Sequence, residues 1–265
     1  GPDTLVIASS HSGNTEETLA AADQALARGV RLLAITTGGA LAAHAQRHSY
    51  PLWQFDYASQ PRAALGWSFG LLIGLAHRLG LAPALEADVA ESVALLRDRR
   101  AIYGAGSPLS ANPAKRTAGQ MMGRVPLIFG AGIFEPVARR WKGQFNENAK
   151  SWAEFEPLPE ADHNVVAAMG FPMDHGVQLA ALFITSRQHD HPRVRLRHEL
   201  TFKLCLQNGI MADTFQPEGQ SRLAQMLHAI QFGDYLSYYT AIAYAVDPTA
   251  IPQIAELKTL LAEHG

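Results

Sequence analysis

Short apolar runs alternate with amphipathic stretches along most of this chain, and the alternation predicts strands and helices in turn. Thr4–Ala8 is an apolar, β-branched run with the length of a buried strand. The polar turn Ser9–Asn14 follows, and Thr15–Arg28 has helical spacing. Thr15 stands where an N-cap belongs, Glu16 and Glu17 suit the positive end of the helix dipole, and Gly29 stops the helix. Val30–Thr36 is the next strand, Gly38-Gly39 a break, Leu41–His48 a short helix and Leu52–Phe55 a third strand. Arg62–Leu79 is a long apolar helix opened by Pro61. Pro83–Arg99 is amphipathic and suits a connection between two lobes.

The alternation then repeats. Pro113–Met122 predicts a helix, Val125–Phe129 a strand and Glu135–Ala153 a helix. Glu154–His163 is irregular and acidic, and Asn164–Met169 fits no single pattern. Leu179–Thr185 is a strand, Arg193–Asn208 a helix ended by Gly209, and Ile210–Thr214 a strand. Gly219–Val246 and Pro252–Glu263 are the closing helices. Strands that alternate with helices imply parallel sheets with helices on both faces, an α/β class. The near-continuous apolar strands agree, because parallel sheets are covered on both faces. Two lobes, 1–85 and 86–265, are the expected domains. The first strand begins so close to residue 1 that we expect a natural N-terminal portion to precede it.

Composition narrows the function classes. The chain has 265 residues, 48% of them hydrophobic, which suffices for large cores. A net charge of -2 leaves no basic field to attract nucleic acid or an anionic membrane, so neither is expected as a partner. Leu65–Leu81, the longest apolar stretch, is interrupted by His77 and Arg78 and is too short to span a bilayer. The single cysteine, Cys205, rules out an intrachain disulfide and a cysteine zinc cluster, and it fits a cytoplasmic location.

Four constellations carry candidate chemistry. Ser10-His11-Ser12-Gly13-Asn14-Thr15 lies between a parallel strand and a helix, where open α/β sheets place ligands. Amide and hydroxyl donors there suit a phosphate, and a plain turn with an N-cap is the alternative. Glu147 stands between Asn146 and Asn148 near Lys150, as a general base or as part of a solvated helix end. His163, in Pro159–Asn164, is a proton carrier near neutral pH or a surface histidine. Arg62 opposes the dipole of its own helix, which an anion or an ordinary salt bridge would offset. His44 and His48 are spaced for a metal but lack supporting ligands, so no metal and no cofactor are expected. Gly104-Ala105-Gly106 lacks the rest of a dinucleotide fingerprint, His189-Asp190-His191 fits an exposed turn, and Cys205 falls on an apolar helix face.

With these residues in hand, the chain resembles the SIS (sugar isomerase) family, and within it the bifunctional phosphoglucose/phosphomannose isomerases of bacteria and archaea. Ser10–Glu17 is similar to the family's phosphate loop, Gln144–Lys150 to its Asn-Glu-Asn-Ala-Lys signature and Pro159–Asn164 to its Pro-Glu-x-x-His-Asn segment. Gly233–Ser237, Asp247–Thr249 and Glu256–Lys258 resemble its C-terminal helices. The resemblance implies two SIS lobes of three αβα layers. It implies that Ser10, Ser12 and Thr15 bind the phosphate of a sugar phosphate, and that Arg62 stabilises an enediolate. It further implies that Glu147 moves the proton between C1 and C2, and that Lys258 and His163 help open the ring. In the family His163 comes from the other subunit, which implies a homodimer with a shared active site. The family's upstream Gly-Met-Gly-Gly-Ser loop has no counterpart here. Two further readings stay open: a non-catalytic sugar-phosphate regulatory domain, and another SIS enzyme such as an amino-sugar isomerase. No basic helix-turn-helix supports the regulator.

Overall fold

The computed structural model describes residues 1, 3–171 and 175–264. The chain divides into two compact units, Gly1–Leu85 and Glu86–Gly265.

In the first unit the order is β1 (Leu5–Ser9), α1 (Glu16–Ala27), β2 (Arg31–Thr36), α2 (Gly39–Arg47), β3 (Leu52–Gln54) and α3 (Leu65–Arg78). The strands form a parallel sheet in the order β1-β2-β3. Alternation along β2 divides the core. Leu32 and Ala34 pack with Ala22 and Ala25 of α1 and Leu41 and Ala45 of α2, whereas Leu33 and Ile35 pack with Phe55 and Leu75 of α3. Helices therefore cover both faces of the sheet. Leu5 and Ile7 are 37% and 36% exposed, because β1 pairs with β2 alone. The strand expected to be buried is partly exposed, with Ala8 its buried residue.

In the second unit the order is α4 (Glu86–Tyr103), α5 (Pro113–Gln120), β4 (Val125–Gly130), α6 (Glu135–Ala149), β5 (Glu154–Pro157), α7 (Ala161–Asn164), β6 (Leu179–Ile184), α8 (Pro192–Gln207), β7 (Met211–Phe215), α9 (Arg222–Ala243) and α10 (Pro252–His264). The sheet is parallel throughout in the order β5-β4-β6-β7. Ala180, Leu182 and Ile184 of β6 face Trp141 and Phe145 of α6 and Phe232 and Leu236 of α9. Ala181 and Phe183 face Cys205 of α8 together with Ala161 and Met169. Period-two alternation again feeds two cores, and the sheet is covered on both faces.

The structure corrects several expected elements. Glu154–Pro157, read as irregular, is the edge strand β5. The helix expected to reach Ala153 ends at Ala149, where Lys150 turns left-handed at φ 52° as its C-cap. Val165–Gly170 is a 3-10 helix. The turn expected at His189-Asp190-His191 is present, half-buried at His189 and Asp190 and exposed at His191, and it is held by side-chain bonds. The Asp190 carboxylate accepts from the Ser186 amide at 2.7 Å, and His191 caps α8 by accepting from the Arg193 amide. His44 bonds Tyr50 at 2.8 Å and Asp23 at 2.9 Å. Cys205 is wholly buried, and burial pushes its thiol up to about 11. No helix among the described residues is long and apolar enough to cross a membrane.

Candidate active site

In the first unit, the loop after β1 is held in shape by its own side chains. Ser10 is buried, its hydroxyl lies 2.8 Å from that of Thr15, and it accepts from the Gly13 amide at 3.1 Å. The Ser12 hydroxyl is exposed and accepts from the Asn14 amide at 3.2 Å. Thr15 is the N-cap of α1 in extended conformation, yet its side chain makes no capping bond. Pairing with Ser10 instead leaves the amides of the first turn available to an anion. The loop after β2 braces this one. Leu41 N–H donates to the Gly13 carbonyl, Ala40 N–H to the Asn14 side chain, and the Thr37 hydroxyl to the His11 carbonyl. Gly13 sits at φ 71°, and a Cβ there would stand 1.9 Å from the Gly38 carbonyl oxygen. The sequence shows Gly38-Gly39 only as a break; in three dimensions Thr37, Ala40 and Leu41 on either side of it brace the loop after β1.

Arg62, half-buried, lies in the separate 3-10 turn Pro61–Ala63 ahead of α3. The expectation that it opposes the dipole of the long helix is therefore corrected, since α3 begins at Leu65. His11 Nε2 lies 3.1 Å from the Ser59 carbonyl oxygen just before that turn.

In the second unit, Glu147 is half-buried in the last turn of α6 and lines a cavity of about 390 Å³. Its neighbours are pinned one by one. Asn148 donates to the Ser237 hydroxyl at 2.9 Å, Asn146 to the Ser151 carbonyl at 2.9 Å and Gln144 to Asp234 at 2.8 Å. Arg140 pairs with the other oxygen of Asp234 at 2.9 Å. Lys150 Nζ donates to the carbonyls of Asn148 and Asp247. The residues around Glu147 thus tie α6 to α9 and to the segment before α10, which fixes the carboxylate's position.

Lys142, Lys150 and Trp152 also line this cavity, and Ile251 and Ile254 reach it from the start of α10. Trp152 is 73% exposed and donates its indole N–H to Glu154 at 2.6 Å. Sequence reasoning missed Trp152 and the two isoleucines; the bulky Trp152 beside the Asn-Glu-Asn-Ala-Lys run was the available signal. Lys258 lies one helical turn beyond Ile254 on the exposed α10 and is not among the lining residues. His163 is exposed on α7, and it too lies outside this lining. Beside it, Asp162 is held by Arg197 at 2.5 Å and Thr201 at 2.8 Å. No group of metal-ligating side chains occurs among the described residues.

Comparison with known proteins decides the family. The bacterial phospho-glucose isomerase C-terminal SIS domain matches residues 110–261, and the SIS domain matches residues 1–50. A bifunctional phosphoglucose/phosphomannose isomerase of Caldicellulosiruptor bescii is 40% identical over 263 residues, 98% of this chain and 77% of the relative. The chain belongs to this isomerase family. A second member, from Aquifex aeolicus, is 32% identical over 99% of this chain and 78% of its own length. Among solved structures, a hypothetical protein of Thermus thermophilus superposes with a TM-score of 0.78 over 98% of this chain and 71% of its own, at 16% identity. That likeness is one of fold, and it matches the three-layer α/β architecture. Family membership makes the chain an isomerase-class enzyme.

Proposed function

We propose that the chain interconverts glucose 6-phosphate and mannose 6-phosphate with fructose 6-phosphate through an enediolate. The carrying observation is Glu147, half-buried on a pinned helix end in a cavity of about 390 Å³, in a chain 40% identical to such an isomerase. Aldose–ketose exchange needs a base that removes the proton from C2 and returns it to C1. Glu147 is that base. The intermediate carries negative charge on oxygen, and Arg62 is the cation assigned to it. Ser10, Ser12 and Thr15, with the first amides of α1, hold the phosphate. The phosphate supplies binding energy remote from the reacting carbons, which orients them. His163 and Lys258 assist ring opening. His163 acts in the neighbour's site, so the working form is a homodimer. A reducing cytoplasm suits the unpaired Cys205.

Turnover of each aldose phosphate by wild type and Glu147→Gln tests the reading. The substitution keeps shape and removes the base, so kcat should fall about 100-fold to 10,000-fold with KM little changed. A wild type that converts neither aldose phosphate, or a variant with full rate, rejects it. Mixing Glu147→Gln with His163→Ala chains tests the shared site, because partial activity returns only if subunits complement each other.

A further inference from the structure

The second unit contains a βαβ element built like the one near the start of the chain. β6 leads through a polar loop into α8 and then into β7, its parallel neighbour, as β1 leads through its loop into α1 and β2. The two loops open alike. The Thr185 amide donates to the Phe215 carbonyl at 3.1 Å, and the Ser10 amide donates to the Ile35 carbonyl at 3.1 Å. The Ser186 hydroxyl accepts from the amides of Gln188 and His189 at 3.1 and 3.0 Å, as the Ser10 hydroxyl accepts from Gly13. Their chemistry differs. The loop after β6 has no glycine and carries one cation, Arg187, behind Thr185 and Ser186.

A cavity of about 370 Å³ lies at these carboxyl ends of β6 and β7, where parallel α/β sheets place ligands. Its volume lies within the range of small-molecule sites. Arg187 enters it from the loop, and Arg195, His198 and Lys203 enter from one face of α8. Among the described residues, Glu199 is the one carboxylate on its wall, against three cations. Arg195 donates to the Arg187 carbonyl at 2.5 Å, which orients its guanidinium. This cavity shares no lining residue with the Glu147 cavity.

His198 is the decisive feature. It is 3% exposed and stands edge-on to Phe183, with ring centroids 5.9 Å apart. Among the described residues neither of its ring nitrogens has a hydrogen-bond partner. A buried polar group without partners is costly, and an apolar side chain would pack there at no such cost. The ring lines the cavity, and a polar group bound there would supply the missing partner. Burial lowers its pKa to about 4, so at neutral pH the ring offers one donor and one acceptor.

We propose that this cavity binds the phosphate group of a small molecule, with Arg187, Arg195 and Lys203 neutralising its charge and His198 donating a hydrogen bond. The site is independent of the residues assigned to isomerisation. The test uses the full chain with ¹⁵N-labelled histidine, the His198 ring signals being assigned from a His198→Gln variant. Inorganic phosphate and glycerol 3-phosphate are titrated in separate arms at neutral pH. The His198 ring signals should move saturably, and the tighter arm identifies a free ion or an ester as the natural form. Arg187→Ala/Lys203→Ala should weaken binding about tenfold or more, since each loss removes a charge-assisted contact. Thr15→Ala, which alters the loop after β1, should leave the titration unchanged. The proposal is overturned if the His198 signals stay fixed in both arms, if the double variant binds as wild type, or if Thr15→Ala abolishes the shift.

Discussion

Replacing Gly13 with alanine would probe the loop after β1 at its tightest point. Gly13 has φ 71°, and an added Cβ would meet the Gly38 carbonyl oxygen at 1.9 Å and the Thr36 hydroxyl at 2.9 Å. Two costs follow. Placing a side chain in left-handed backbone costs about 1–2 kcal/mol. Relieving the overlap then requires the loops after β1 and β2 to separate by about 1 Å, and overpacking of this kind costs about 1–3 kcal/mol. The expected loss is therefore about 3 kcal/mol. Gly29 supplies the control. It has φ 65° with nothing within 4 Å of the added Cβ, so Gly29→Ala carries the backbone cost alone, about 1 kcal/mol. Denaturant unfolding of both variants separates conformational strain from collision. Under the proposed function, Gly13→Ala should also raise KM for fructose 6-phosphate about tenfold or more, because a displacement near 1 Å spoils anion geometry. Gly29→Ala should leave KM unchanged. Equal stabilities for the two variants, or an unaltered KM in Gly13→Ala, would refute the argument that the paired loops set the shape of the anion grip.

Other expectations concern the second unit. Burial lowers His198 and His228 from 6.5 to about 4. The unfolded chain takes up these protons first, so stability is full above pH 6.5 and declines as pH falls toward 4, by up to about 3 kcal/mol per histidine. Denaturant unfolding at neutral and mildly acid pH measures this, and His198→Phe should show the shallower decline; an identical decline in that variant would count against it. His228 Nδ1 accepts from the Glu218 amide at 2.8 Å, so its proton sits on Nε2 and points to the Tyr103 hydroxyl 2.7 Å away. Tyr103→Phe should leave that buried N–H unpaired and cost about 1–3 kcal/mol, and a wild-type unfolding midpoint would contradict this. Asn148→Ala removes the donor to Ser237 beside Glu147. It should lower kcat more than it lowers stability, which kinetics and unfolding measured on one preparation would decide.

Local pattern carried far in this chain wherever a segment is covered on both faces. β2, β4 and β6 are legible because parallel strands bury both faces and leave unbroken apolar runs. β5 was not legible. Its Glu-Phe-Glu-Pro run alternates charge with bulk at the edge of a sheet, and only pairing with β4 makes it a strand. The end of α6 escaped for a related reason: Lys150 adopts left-handed backbone with no glycine to announce it.

The candidate site divides in the same way. Residue types and short-range order pointed to Ser10–Thr15 as a candidate phosphate loop, because donors clustered before a helix have local chemical meaning, whereas Glu147 by itself read as part of a solvated helix end and was assigned as a base only through the family resemblance. What joins distant segments waited for the tertiary structure. The brace from Thr37, Ala40 and Leu41 onto the loop after β1 depends on parallel pairing of β1 with β2, and the isoleucines at the start of α10 beside Glu147 lie far from it in sequence. The unpartnered ring of His198 belongs with these. In the sequence it is one histidine on a polar helix, and only packing against Phe183 at the end of the sheet removes its water and leaves both nitrogens in want of a partner.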